Sequence, residues 1–69
     1  MIRTKLKLRA PKGKYRVIGV DTFDGDEWIE GDFNSLEKAW EIAVQTGGTM
    51  LKTHIYDDRG KHLGQSGKF

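Results

Sequence analysis

His54 and His62 are the only imidazoles in a chain of 69 residues that has no cysteine. They stand on either side of Asp57-Asp58-Arg59-Gly60. A tight turn there brings the two strands of a hairpin together, which would place both rings and one carboxylate within reach of each other. Such a set holds the elements of a general base or a metal pair. A working site also needs a concave pocket and shifted pKa values, and two histidines on an exposed hairpin are more simply surface residues. Structural zinc sites draw on cysteine, which is missing here. The expectation is therefore no catalytic residue, no metal and no cofactor: a protein that is not an enzyme.

Three further patterns fall short of a site. Asp21, Asp24, Asp26 and Glu27 form an acidic stretch. Its order is D-x-x-D-G-D-E, with the glycine misplaced for a calcium loop and no glutamate at the twelfth position, so solvated turn acids are the better reading. Gly67-Lys68 lacks the earlier glycine, the following Ser or Thr and the helix of a phosphate loop. Ser35 is better explained as the start of a helix than as a nucleophile.

The more substantial feature is a sheet face. Along Thr49–Tyr56, Leu51, Thr53 and Ile55 alternate with Lys52, His54 and Tyr56. If the apolar set meets the core, the other set points away from it. Trp28 and Tyr15 are candidates to join that outer set, and the basic row Lys5, Lys7 and Arg9 would extend it. The expected contact surface is thus Lys5, Lys7, Arg9, Tyr15, Trp28, Lys52, His54 and Tyr56. Aromatic rings among cations suit two roles. One is protein contact or self-association, since burial there adds core that a small monomer lacks. The other is single-stranded nucleic-acid binding, by stacking on bases and pairing with phosphates. Glu30 and Asp32 share the parity of Trp28 and would repel phosphates, and no RNP-type signature is present. A non-enzymatic interaction module is the leading expectation, with nucleic-acid binding as the alternative.

These residues must be positioned by something, and the one full helical signal is Asn34–Gly47. Leu36, Ala39, Trp40, Ala43 and Val44 fall on one stripe of a 3.6-residue helix. Asn34 or Ser35 can cap its start, and Gly47 suits a left-handed residue at its end. The rest alternates as strands do. Ile2–Ala10 has Ile2, Leu6, Leu8 and Ala10 on one parity and Arg3, Lys5, Lys7 and Arg9 on the other. After Pro11-Lys12-Gly13, Lys14–Phe23 has a centre, Val17-Ile18-Gly19-Val20, that is apolar on both parities, as in an interior strand. Gly19 there marks a bulge or a close approach of the helix. Asp24-Gly25-Asp26 turns into Glu27–Phe33, where strict alternation sends Ile29 and Phe33 to the core and leaves Trp28 on the opposite face or at an edge. Thr49–Tyr56 and Lys61–Gln65 complete the set, with Gly60 left-handed between them. The predicted fold is a two-layer α+β domain of order β-β-β-α-β-β. A mostly antiparallel sheet of four or five strands carries one helix on one face. Residues 1–69 form one domain, with the first few residues and 66–69 expected to be mobile.

The mass of 7.9 kDa leaves room for one thin core. Net charge is only +2, but residues 1–20 carry +7, residues 21–58 carry −8 and residues 59–69 carry +3. Such segregation invites a nucleic-acid or membrane-surface partner, against the simpler reading of a basic strand partly neutralised by acidic loops of the same molecule. No apolar run approaches the roughly 20 residues of a membrane span, and the N-terminal charges are not followed by the apolar core of a signal peptide. A cytoplasmic protein with no membrane partner is expected.

Overall fold

The structure, a computed structural model, describes residues 8–48 and 51–67. They form strands β1 (Tyr15–Asp21) and β2 (Glu27–Phe33), helix α1 (Leu36–Thr46), and strands β3 (Leu51–Tyr56) and β4 (His62–Ser66). The four strands make one antiparallel sheet in the order β2-β1-β3-β4. β2 and β3 both run antiparallel to β1, so they are parallel to each other, and α1 carries the chain from one to the other past β1. This is the expected α+β architecture with four strands. Most of the strand expected over Ile2–Ala10, including Lys5 and Lys7, lies outside the described residues.

Helix α1 begins where Ser35 accepts a hydrogen bond from the Lys38 N–H at 3.0 Å, satisfying one orphan donor of the first turn. Ala39 and Ala43 are fully buried and meet Val17 and Ile55, with Tyr15, Phe33, Trp40 and Leu63 packed around them. Two alanines let the helix approach the sheet closely. Thr53 uses that closeness: its buried hydroxyl donates to the Ala43 carbonyl at 2.9 Å. The predicted apolar stripe is narrower than expected, because Leu36 and Val44, at 36% and 59% exposure, lie on its outer flanks. Gly47 also departs from expectation. Its backbone is extended, and its N–H bonds to Ala43 O at 2.9 Å. A side chain there would press on the Gly67 backbone, so glycine serves a close approach of two chain segments.

Two extra residues reshape the sheet. Val17 pairs with Gly31 but Ile18 with Ile29, which leaves Glu30 as a bulge in β2. Ile55 pairs with Gly64 but Tyr56 with His62, which leaves Leu63 as a bulge in β4. A bulge shifts the alternation by one residue on one side of itself. Phe33 and Gly31 therefore face the helix as expected. Trp28, in register with Gly19, also faces the helix side, and Ile29 turns to the opposite side, where it is 40% exposed. The expected facing of Ile29 and Trp28 is thus reversed, because strict alternation took no account of Glu30, although Trp28 does lie on an edge strand. The turn glycines Gly25 and Gly60 both have φ of +82°, as their Asp-Gly and Arg-Gly contexts require. Ser66, expected to fray, is the last residue of β4 and pairs with Thr53.

Candidate contact surface

The face of the sheet away from α1 is assembled by register. β1 contributes Arg16, Ile18 and Val20, and β2 contributes Glu27, Ile29 and Asp32. Opposite them β3 contributes Lys52, His54 and Tyr56. β4 adds His62 beside Tyr56 and Gln65 beside His54. The alternation read from Thr49–Tyr56 therefore holds: Thr53 and Ile55 are buried under the helix while Lys52, His54 and Tyr56 point the other way.

His54, Tyr56 and His62 form a three-ring cluster on this face. Ring centroids are 5.2 Å apart for His54 and His62, 5.3 Å for Tyr56 and His62, and 6.4 Å for His54 and Tyr56. His54 Nδ1 and His62 Nε2 approach to 3.1 Å, a hydrogen bond in which one ring nitrogen donates and the other accepts. Burial holds the His54 pKa below its ordinary value, helped by His62 and Lys52 and opposed by Glu27. Burial, with Glu27, raises that of Tyr56, so the phenol stays neutral.

The β2 flank has a different character. Arg16 and Asp32 make a two-pronged ion pair, Nε to Oδ1 at 2.7 Å and Nη2 to Oδ2 at 3.0 Å. This hydrogen-bonded carboxylate raises the Arg16 pKa against a smaller burial penalty. At the centre of the face Ile18 is only 1% exposed, so this side of the sheet is not a bare plane. Among the described residues no second helix or sheet lies over it.

Other predicted contact residues lie elsewhere. Tyr15 packs against the core on the helix side. Trp28 is on that side too, its indole against Gly19 and its N–H donating to the Glu30 carboxylate. Gly19 does mark a close approach, but of the Trp28 ring and not of the helix. Arg9 is exposed and lies outside any strand, against Gly60, with Ala10 N–H bonded to Asp57 O at 3.0 Å. Asp57 and Asp58 serve the backbone: Asp57 Oδ1 accepts from the N–H groups of Arg59 and Lys61, both at 2.8 Å, and Asp58 Oδ2 from that of Gly13 at 2.8 Å.

Cavities occur away from the ring cluster. A groove of about 720 Å³ runs along α1 beside Trp40 and Val44. A cleft of about 420 Å³ lies between Tyr15, Leu36, Leu63 and the Asp57–Arg59 turn. The signal that sequence reasoning missed was Ile29 and Gln65 on the outer face, since only the bulges determine their side. No helix among the described residues is long and apolar enough to cross a membrane. No protein-family model, curated protein or solved structure matches the chain.

Proposed function

We propose that this chain is a non-enzymatic interaction module whose contact surface is the sheet face away from α1, and that its first partner is a second copy of itself. The observation that carries the reading is the cluster of His54, Tyr56 and His62 on the side of the sheet that α1 leaves uncovered. Charge supports a self-complementary contact. Lys52 stands on the β3–β4 flank, Glu27 and the exposed Ile29 on the β2 flank. A two-fold axis lying between two such faces and parallel to their strands would set each flank on its opposite in the other copy, as an isologous interface demands. Tyrosine is suited to such a centre, offering a large apolar ring with a polar tip.

Sedimentation equilibrium over a wide concentration range tests it. Mass should rise with concentration, and Tyr56→Ala with Ile29→Ser should return the chain to monomer. A wild-type protein that stays monomeric at millimolar concentration contradicts the proposal. Single-stranded nucleic-acid binding is the second reading, favoured by Lys52 beside the three rings. Its weight is reduced by Glu27 and Asp32 on the same face and by the placement of Trp28 and Tyr15 on the other. It requires affinity that falls steeply with salt.

A further inference from the structure

We propose that His54 and His62 form a two-imidazole binding site for a borderline divalent metal ion, such as Zn²⁺, Ni²⁺ or Cu²⁺. Both ligands come from one copy of the chain.

His54 Nδ1 and His62 Nε2 are 3.1 Å apart. Two imidazole nitrogens at about 2.05 Å from one ion are separated by about 3.3 Å at a tetrahedral angle and by about 2.9 Å at a right angle. The observed spacing lies between these values, so one ion can bridge the two nitrogens once the rings turn out of their mutual hydrogen bond and aim both lone pairs at a common point. The rings stand on β3 and β4, which are paired through Thr53 to Tyr56. Strand pairing holds their backbones in place, so little order has to be gained on binding. Proton placement also balances. In the hydrogen-bonded pair one of these two nitrogens carries a hydrogen. On metal binding that ring changes tautomer, leaving hydrogens on His54 Nε2 and His62 Nδ1 and both facing nitrogens as ligands. Both rings remain neutral.

The surroundings are mixed. Lys52 precedes His54 by two residues on the same face and weakens attraction for a cation, whereas Glu27 on that face strengthens it. Among the described residues no group of three or more His, Cys, Asp and Glu side chains is placed to hold a metal. The protein therefore supplies two ligands, and water or an external ligand fills the remaining positions. Imidazole ligands select Zn²⁺, Ni²⁺ and Cu²⁺ over Mg²⁺ and Ca²⁺, which prefer oxygen.

The test is a titration of the full chain with ZnCl₂, followed by NMR of the imidazole ring resonances, with MgCl₂ as the control. The resonances of both histidines should move together and saturate at one equivalent of Zn²⁺, and Mg²⁺ should move neither. His54→Gln and His62→Gln should each weaken Zn²⁺ binding by at least about 10-fold, because the second imidazole acts at high effective concentration. Separate midpoints for the two rings in the wild-type chain would overturn the proposal. So would the absence of any shift, or a His54→Gln chain whose remaining imidazole binds Zn²⁺ as tightly as the pair. The wild-type titration decides the matter even if a variant fails to fold.

Discussion

The Trp28 indole occupies the place where a side chain at Gly19 would stand. A Cβ at position 19 would lie 2.6 Å from Trp28 Nε1 and Cε2. Two pairings create this relationship: β2 sets Trp28 beside Gly19 across the strands, and the Glu30 bulge turns the indole to the helix side. Glu30 then accepts the indole N–H, satisfying the one polar atom of the ring.

Gly19→Ala should accordingly displace the ring. Overpacking of this kind costs about 1–3 kcal/mol. Urea unfolding should show a lower midpoint at unchanged slope, and the Trp28 indole N–H resonance should move while that of Trp40 stays. An unaltered Trp28 resonance would show that the ring does not rest on Gly19.

Arg16 and Asp32 form an ion pair whose side chains are only 13% and 25% exposed. It lies between a solvated surface pair, of about 0.2–1 kcal/mol, and a fully buried one, whose breaking costs about 3–5 kcal/mol. Asp32→Asn should lower stability by about 1–2 kcal/mol on that scale. A double-mutant cycle with Arg16→Met should return a coupling of about 1 kcal/mol that 0.5 M salt reduces only in part. Zero coupling would mean that the paired geometry is incidental.

Thr53 joins β3 to the end of α1 through its hydroxyl on Ala43 O. That carbonyl also accepts the Gly47 N–H, so Thr53→Val leaves no orphaned acceptor and nearly preserves volume. The loss should be about 0.5–1.5 kcal/mol, the net worth of one hydrogen bond. Amide exchange at Gly47 and over the last turn of α1 should speed up more than at its start.

The Asp57 carboxylate is held below its ordinary pKa of 3.8 by the N–H groups of Lys61 and then Arg59. A folded-state pKa below the unfolded one means that the unfolded chain binds more protons in this range, so stability rises with pH. The contribution of Asp57 is fully present above pH 3.8 and is lost as pH falls through its lower folded value. Asp57→Asn, which keeps an acceptor oxygen, should lack this part of the acid dependence. Urea midpoints for the two chains should differ above pH 4 and draw together as the pH is lowered below it.

The local chemistry of this chain was legible from residue order alone. The span Glu27–Phe33, the cap at Ser35, the glycine turns at Gly25 and Gly60, and the two-sided alternation of Thr53 and Ile55 against Lys52, His54 and Tyr56 all follow from short-range rules. So did the nearness of His54 and His62, because a tight turn leaves two adjacent strands little choice of register. Which residues share the outer face depended on more than this. A bulge moves every side chain beyond it to the other side, and nothing in the identity of Glu30 or Leu63 marks it as the extra residue. Only pairing with β1 and β3 selects those positions. It carries Trp28 to the helix side, brings Ile29 to the outer face, and decides that β1 and β3 occupy the centre of the sheet.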